Sequence, residues 1–219
     1  MIAVLREGFW GGAGEILPLN AGGMTVPNTL KCLALSASPR RDGNTALLAR
    51  LALGACAEAG CDVEFLYLVD FRYEPCRACE GCYATGRCVV PDDAGVLYEK
   101  ILAADRLIFA APVFSMGICA QAKVFIDRAQ QFWAAKYLLG RRVIEEGRPE
   151  RRGIFISCAG TTLPGVFEGT VRVARYFFKM LEIKLQASLC YAGVEKRGEI
   201  FNNRAALEET VAQGRLLAL

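Results

Sequence analysis

From residue 30 onward, short unbroken apolar runs alternate with longer stretches of helical period. Residues 30–36 (LKCLALS) form the first run, and a loop carrying glycine, proline and asparagine follows. Residues 45–59 then place Leu47, Leu48, Leu51 and Ala55 on one helical face, with Gly60 positioned to close the helix. Residues 63–69 form a second run, and Asp92 or Asp93 caps a helix bearing Val96, Leu97, Ile101 and Leu102. The rest of the pattern predicts strands over 106–113, 153–158 and 185–191, and helices over 119–132, 167–181 and 203–217.

Five apolar strands separated by helices predict an α/β fold with a parallel sheet covered on both faces. Five is the strand count of the flavodoxin-like, doubly wound order 2-1-3-4-5, whose cofactor crevice lies where the strand order reverses, between the first and third strands. Ligands in such sheets sit beyond the carboxyl ends of the strands, so the loops after Ser36, Val113 and Cys158 are the ones to inspect.

Two segments break the alternation. Residues 1–28, with GFWGGAG and a later Ala21-Gly22-Gly23, show neither helical nor strand period and are read as an N-terminal extension of unknown role, with Met24 a candidate natural start. Residues 71–91 form a polar, cysteine-bearing loop inserted after the second strand. A single domain over 29–219 accounts for everything else. Hydrophobic content of 53% and charged content of 22% describe a globular chain. A net charge of +3, with scattered basic residues, is too mild to predict binding to nucleic acid or a membrane surface. The longest apolar run, 107–120, is too short for a membrane span and is broken by Pro112 and Gly117. Arg6 and Glu7 interrupt the apolar start at once, so no secretory leader is predicted and a soluble, cytoplasmic protein with reduced thiols is expected.

The chain has no histidine and ten cysteines. The first count excludes Ser-His and Cys-His catalysis, histidine-containing zinc sites and histidine-ligated haem. Chemistry must then come from thiols, carboxylates, hydroxyls, backbone amides or a borrowed cofactor.

The loop after the first strand reads SASPRRDGNT over residues 36–45. It runs from a strand end into a helix start, where unpaired amides and the helix dipole favour an anion. Ser38 and Thr45 offer hydroxyls, Asn44 an amide and Arg40 a planar cation, so a phosphate site is expected; an ordinary capped turn has the same composition. The spacing is neither G-x-x-x-x-G-K-[ST] nor G-x-G-x-x-G. After the third strand, Ala111 to Gly117 (APVFSMG) can lay backbone amides beside a flat ring, or simply plug the sheet top. After the fourth, Cys158-Ala159-Gly160-Thr161-Thr162 adds a glycine and two hydroxyls. Three such loops on one rim suit a mononucleotide such as FMN.

Four of the cysteines crowd into residues 76–88 as C-x2-C-x2-C-x5-C: Cys76, Cys79, Cys82 and Cys88. The consecutive two-residue spacings match a cubane iron-sulfur cluster, closed here by Cys88 because no second cysteine set exists. A structural zinc, which prefers two separated C-x2-C knuckles, and a redox-thiol loop are the alternatives. Gly81 and Gly86 permit tight turns, and Arg77 and Arg87 are candidates to offset cluster charge.

The segments SASPRRDGNT, PCRACEGCYATGRC followed by Asp92-Asp93, APVFSMGICAQAKVFIDR and FEGTVRVARYFFKML resemble the iron-sulfur flavoproteins, in the NAD(P)H-dependent FMN reductase branch of flavodoxin-like proteins. The likeness covers about residues 30–195, and the cysteine motif is its most specific part. It implies that Ser38, Arg40, Asn44 and Thr45 hold the FMN phosphate. It also implies that Pro112, Val113, Phe114, Met116 and Gly117 line the isoalloxazine, with Cys158, Ala159 and Gly160 beside it. The four clustered cysteines would hold a [4Fe–4S] cluster, and the chain would form homodimers or homotetramers. The expected activity is that of an oxidoreductase passing electrons between the cluster and FMN to a small acceptor, with a ferredoxin-type protein or NAD(P)H as donor. The alternatives are a cluster-free NAD(P)H-dependent FMN or quinone reductase, or a non-enzymatic sensor or carrier.

Overall fold

The computed structural model describes residues 29–219; the predicted N-terminal extension lies outside the described residues. In chain order the elements are β1 (Lys31–Ser36), α1 (Asn44–Glu58), β2 (Asp62–Tyr67), α2 (Ala94–Ala103), β3 (Arg106–Ala110), the short strands β4 (Val113–Phe114) and β5 (Gly117–Ile118), α3 (Ala120–Asp127), α4 (Gln130–Trp133), β6 (Arg152–Cys158), α5 (Glu168–Met180), β7 (Lys184–Tyr191) and α6 (Arg204–Leu217). The main sheet is parallel in the order β2-β1-β3-β6-β7, the predicted doubly wound, flavodoxin-like topology.

Alternation along each strand sends its side chains to two cores. Leu33, Leu35, Leu107, Phe109 and Phe155 face α2, α3 and α5, where Leu97, Tyr98, Ile101, Phe125, Phe177 and Phe178 fill the space. Cys32, Ala34, Ile108, Ala110, Ile154 and Ile156 face α1 and α6 across Leu48, Ala52, Cys56 and Leu217. Small residues on this second side let the helices lie close. At Gly214 of α6 a methyl would meet the Ala52 carbonyl at 2.5 Å and the Ala55 methyl at 2.9 Å. Gly214→Ala should therefore lower stability by about 1–3 kcal/mol in urea unfolding, despite alanine's better helix propensity. An unchanged or raised midpoint would mean that the helices separate freely.

Two departures from the sequence pattern matter for the site. The predicted strand 106–113 ends at Ala110, because Pro112 has no amide to continue the ladder; Val113 and Phe114 instead pair antiparallel with Gly117 and Ile118. The predicted helix 119–132 breaks between α3 and α4, where Arg128 and Ala129 bond back three residues, to Phe125 and Ile126. The chain then continues into a π turn over Ala134–Leu138, within a stretch expected to be loop from Trp133 onward. Among the described residues, no helix is long and apolar enough to cross a membrane.

Candidate functional site

The carboxyl ends of β1, β3 and β6 open onto one cleft. Its lining includes Ser38, Arg40, Asn44 and Thr45 from the first loop, Pro112, Val113 and Phe114 from the second, and Cys158 and Gly160 from the third. Nine of the twelve predicted cofactor residues thus share one cavity wall; Met116, Gly117 and Ala159 lie outside it. Ala159 is buried, its amide donating to the Tyr191 carbonyl and its own carbonyl accepting from Val194. Met116 and Gly117 belong to the β4–β5 turn.

The first loop owes its shape to Ser38. Its hydroxyl accepts from the Arg40 amide (3.1 Å) and donates to the Arg40 carbonyl (2.9 Å). Gly43 is required beside it, since a methyl there would sit 2.7 Å from the Ser38 Oγ. No side chain caps α1, so its amino end faces the cleft with the polarity that attracts an anion. Of the three arginines on this rim, Arg41 is paired with Asp70 and Arg197 with Asp42. Arg40 is exposed and, among the described residues, in no ion pair. Asn44 is committed elsewhere: its Nδ2 donates to the Lys196 carbonyl (2.9 Å) and its Oδ1 accepts from the Ile200 amide (3.3 Å). It ties the loop after β7 to the cleft wall.

That tie brings in Val194 and Glu195, which line the cleft but were not predicted. The signal was available in the topology, since the loop after β7 also leaves a strand's carboxyl end. The Glu195 carboxylate lies across Gly160, where any side chain would overlap it. The second loop is a tight hairpin with left-handed Ser115 (φ 49°) and Met116 (φ 62°). The hairpin leaves Phe114 and Met116 half exposed beside the cleft. Burial pushes the Cys158 thiol up to about 12, with the neighbouring Cys190 adding to it, so this residue stays a neutral, apolar wall.

The cysteine loop is a separate construction. Its neck is closed by backbone bonds: Arg72 donates to the Asp93 carboxylate (2.7 Å), Glu74 to the Asp92 carboxylate (3.0 Å), and the Asp93 amide to the Arg72 carbonyl. Beneath it, Arg128 forms a bidentate pair with Asp92 at 2.6 and 3.1 Å, with side-chain exposures of only 1% and 10%. Burial alone would raise the Asp92 carboxyl. Arg128 and the amides of Glu74 and Ala94 outweigh it and hold the group below the ordinary carboxylate range. Ala78 and Glu80 adopt left-handed conformations between the first three cysteines, as does Gly86 before the fourth. A side chain at Gly86 would press on Ala135 of the π turn, and Cys88 donates its amide to the Gln131 Oε1 (3.1 Å).

Cys76 and Cys79 are exposed, Cys82 and Cys88 half-buried. Burial raises the Cys82 thiol against a backbone hydrogen bond that lowers it, and the other three cysteines of the loop add to the rise. Among the described residues, no three cysteine, aspartate or glutamate side chains converge as the ligands of a single metal ion do. Arg77 and Arg87, the predicted compensating charges, point to solvent.

Residues 30–187 match the family described as NADPH-dependent FMN reductase. The chain is 41% identical over 101 residues to an iron-sulfur flavoprotein of Methanocaldococcus jannaschii, covering 46% of this chain and 52% of that one. It is 32% identical over 114 residues to an iron-sulfur flavoprotein of Methanosarcina thermophila, covering 52% and 60% respectively. The chain thus spans only about half the length of these relatives. Among solved structures, the NAD(P)H:quinone oxidoreductase of Methanothermobacter marburgensis superimposes with a TM-score of 0.62 at 21% identity, covering 87% of this chain and 98% of that one; this likeness concerns the fold.

Proposed function

The chain belongs to the NADPH-dependent FMN reductase family, and on that premise we propose that it is an FMN-dependent oxidoreductase that also carries a [4Fe–4S] cluster on Cys76, Cys79, Cys82 and Cys88. The observation that carries this reading is the pairing, in one chain, of a strand-end cleft facing an uncapped helix with a four-thiol loop closed at its neck by a buried ion pair. When bound, the cluster moves single electrons and the flavin collects two, from NAD(P)H or a ferredoxin-type donor, for delivery to a small acceptor.

The residues divide this work. The α1 amides, Arg40 and Thr45 suit the FMN phosphate, with Ser38 shaping the loop and Asn44 anchoring the neighbouring one. Pro112, Val113 and Phe114 suit one side of a flat ring, and Gly160 and Cys158 leave room beside it. The left-handed Met116 turns the hairpin that presents Phe114, Gly117 pairs with Phe114 across it, and Ala159 fixes the backbone under Gly160. In the cysteine loop, what supports the cluster is the C-x2-C-x2-C-x5-C spacing of the four thiols. The buried free thiols Cys32, Cys56, Cys119 and Cys158 fit a reducing, cytoplasmic setting. Self-association into homodimers or homotetramers belongs to the same reading.

The test is anaerobic reconstitution followed by flavin, iron and sulfide analysis. We expect one FMN and about four each of iron and sulfide per chain. FMN without iron would leave the cluster-free reductase, which the lack of three converging ligands favours; no FMN would overturn both. Within the cleft, Arg40→Ala should weaken FMN binding roughly ten- to a hundredfold, the worth of a charge-assisted hydrogen bond of ~1.5–3 kcal/mol. Unchanged affinity in a fluorescence titration would put the phosphate elsewhere.

A further inference from the structure

The loop after β1 is tied to the rest of the fold at few points. Ser38 and Gly43 close it on itself, both donating to the Arg40 carbonyl. Its two ion pairs, Arg41 with Asp70 and Arg197 with Asp42, join side chains that are all more than a third exposed, and such pairs hold weakly. Among the described residues, the backbone from Pro39 to Asp42 makes one hydrogen bond outside the loop: the Tyr67 hydroxyl donates to the Arg41 carbonyl at 2.9 Å. Tyr67 ends β2 directly opposite Ser36 at the end of β1, and it is buried.

The direction of that bond is fixed from α1. The Tyr67 hydroxyl also accepts from the Arg50 Nη2. A guanidinium has no acceptor, so Arg50 can only donate, and the hydroxyl's single proton is left for the Arg41 carbonyl. The ring completes the grip: the Arg41 guanidinium lies over it, 4.8 Å from the centroid, and pairs with Asp70. Tyr67 thus holds Arg41 by its backbone and by its side chain at once. The two consecutive arginines carry the same charge, yet Arg40 lines the cleft and Arg41 does not.

We propose that Tyr67 is a positioning residue for the phosphate site: by holding Arg41 off the cleft it leaves Arg40 as the cation that meets the flavin phosphate. The inference rests on the FMN reading given above. Riboflavin shares the ring and the ribityl chain of FMN but lacks its phosphate. Tyr67 therefore bears on the difference in affinity between the two flavins, which a general loosening of the fold would not change.

The experiment is a fluorescence titration of the full chain, stripped of flavin, with FMN and with riboflavin. Wild-type protein should prefer FMN by about tenfold or more, because the phosphate gains charge-assisted hydrogen bonds. Tyr67→Phe keeps the buried ring and removes only the hydroxyl. It should weaken FMN binding about three- to tenfold, as one lost hydrogen bond does, and leave riboflavin within about twofold. In an Arg40→Ala background the same change should cost FMN less than about twofold, since both residues act on one contact. Arg41→Ala alters an exposed side chain and keeps the Tyr67 bond to the backbone, so it too should cost less than about twofold. The proposal is overturned if Tyr67→Phe leaves FMN affinity unchanged, weakens both flavins equally, or adds its full loss to that of Arg40→Ala. A loss in Arg41→Ala as large as that in Arg40→Ala also overturns it. Wild-type protein that binds both flavins alike would remove the phosphate site itself, whatever the Tyr67 variant does.

Discussion

Serine at Cys76, Cys79 and Cys82 together should abolish iron and sulfide incorporation while changing FMN affinity less than about twofold. Serine keeps the size of the side chain but supplies no thiolate, so three of the four ligands of the proposed cluster disappear at once. The flavin should be indifferent, because none of the four cysteines lines the cleft. The loop is also held without them: its neck is closed by Asp92, Asp93 and Arg128, and Gly86 rests on the π turn through Ala135. Iron and sulfide assays with a parallel FMN titration read both halves. Iron retained by the triple variant would place the metal elsewhere. Loss of FMN along with the iron would show that cleft and loop are not the independent constructions described above.

The second large effect is on stability. Asp92→Ala should cost about 3–5 kcal/mol in urea unfolding, because it leaves the almost fully buried Arg128 without its counter-charge and frees the amides of Glu74 and Ala94. Because the folded state holds the Asp92 carboxyl below its unfolded value, the unfolded chain takes up its proton first as pH falls. The contribution is therefore complete above about pH 4 and is lost as pH drops below that, towards the folded value. The double change Asp92→Asn with Arg128→Met should recover part of the loss. A single variant within about 1 kcal/mol of wild type would mean that the loop's neck is held by its backbone bonds alone.

The fold was legible because a parallel sheet with helices on both faces writes its strands as short apolar runs, and β1, β3 and β6 are buried nearly throughout. The topology then named the strand-end loops, which is why Ser38, Arg40, Thr45 and Phe114 share a cleft. What the pattern concealed was local. Nothing in an apolar sequence marks a helix break at Arg128, whose side chain bonds the carbonyls of Glu74 and Val90 and the carboxylate of Asp92 from a distant loop. The hairpin turn at Ser115 and Met116 places two ordinary residues in left-handed conformations that composition assigns to glycine. Asn44 reads as a ligand by position, but its amide serves the loop after β7, a contact across 152 residues. Cys88 was evident as a candidate ligand.

The central claim is that one chain holds two redox groups, and counting electrons tests it most directly. Anaerobic reductive titration of the reconstituted protein with dithionite, followed through the flavin and cluster absorption, should consume about three electron equivalents per chain: two for FMN and one for the cluster. Uptake that stops at two, with all bleaching confined to the flavin bands, would contradict the account.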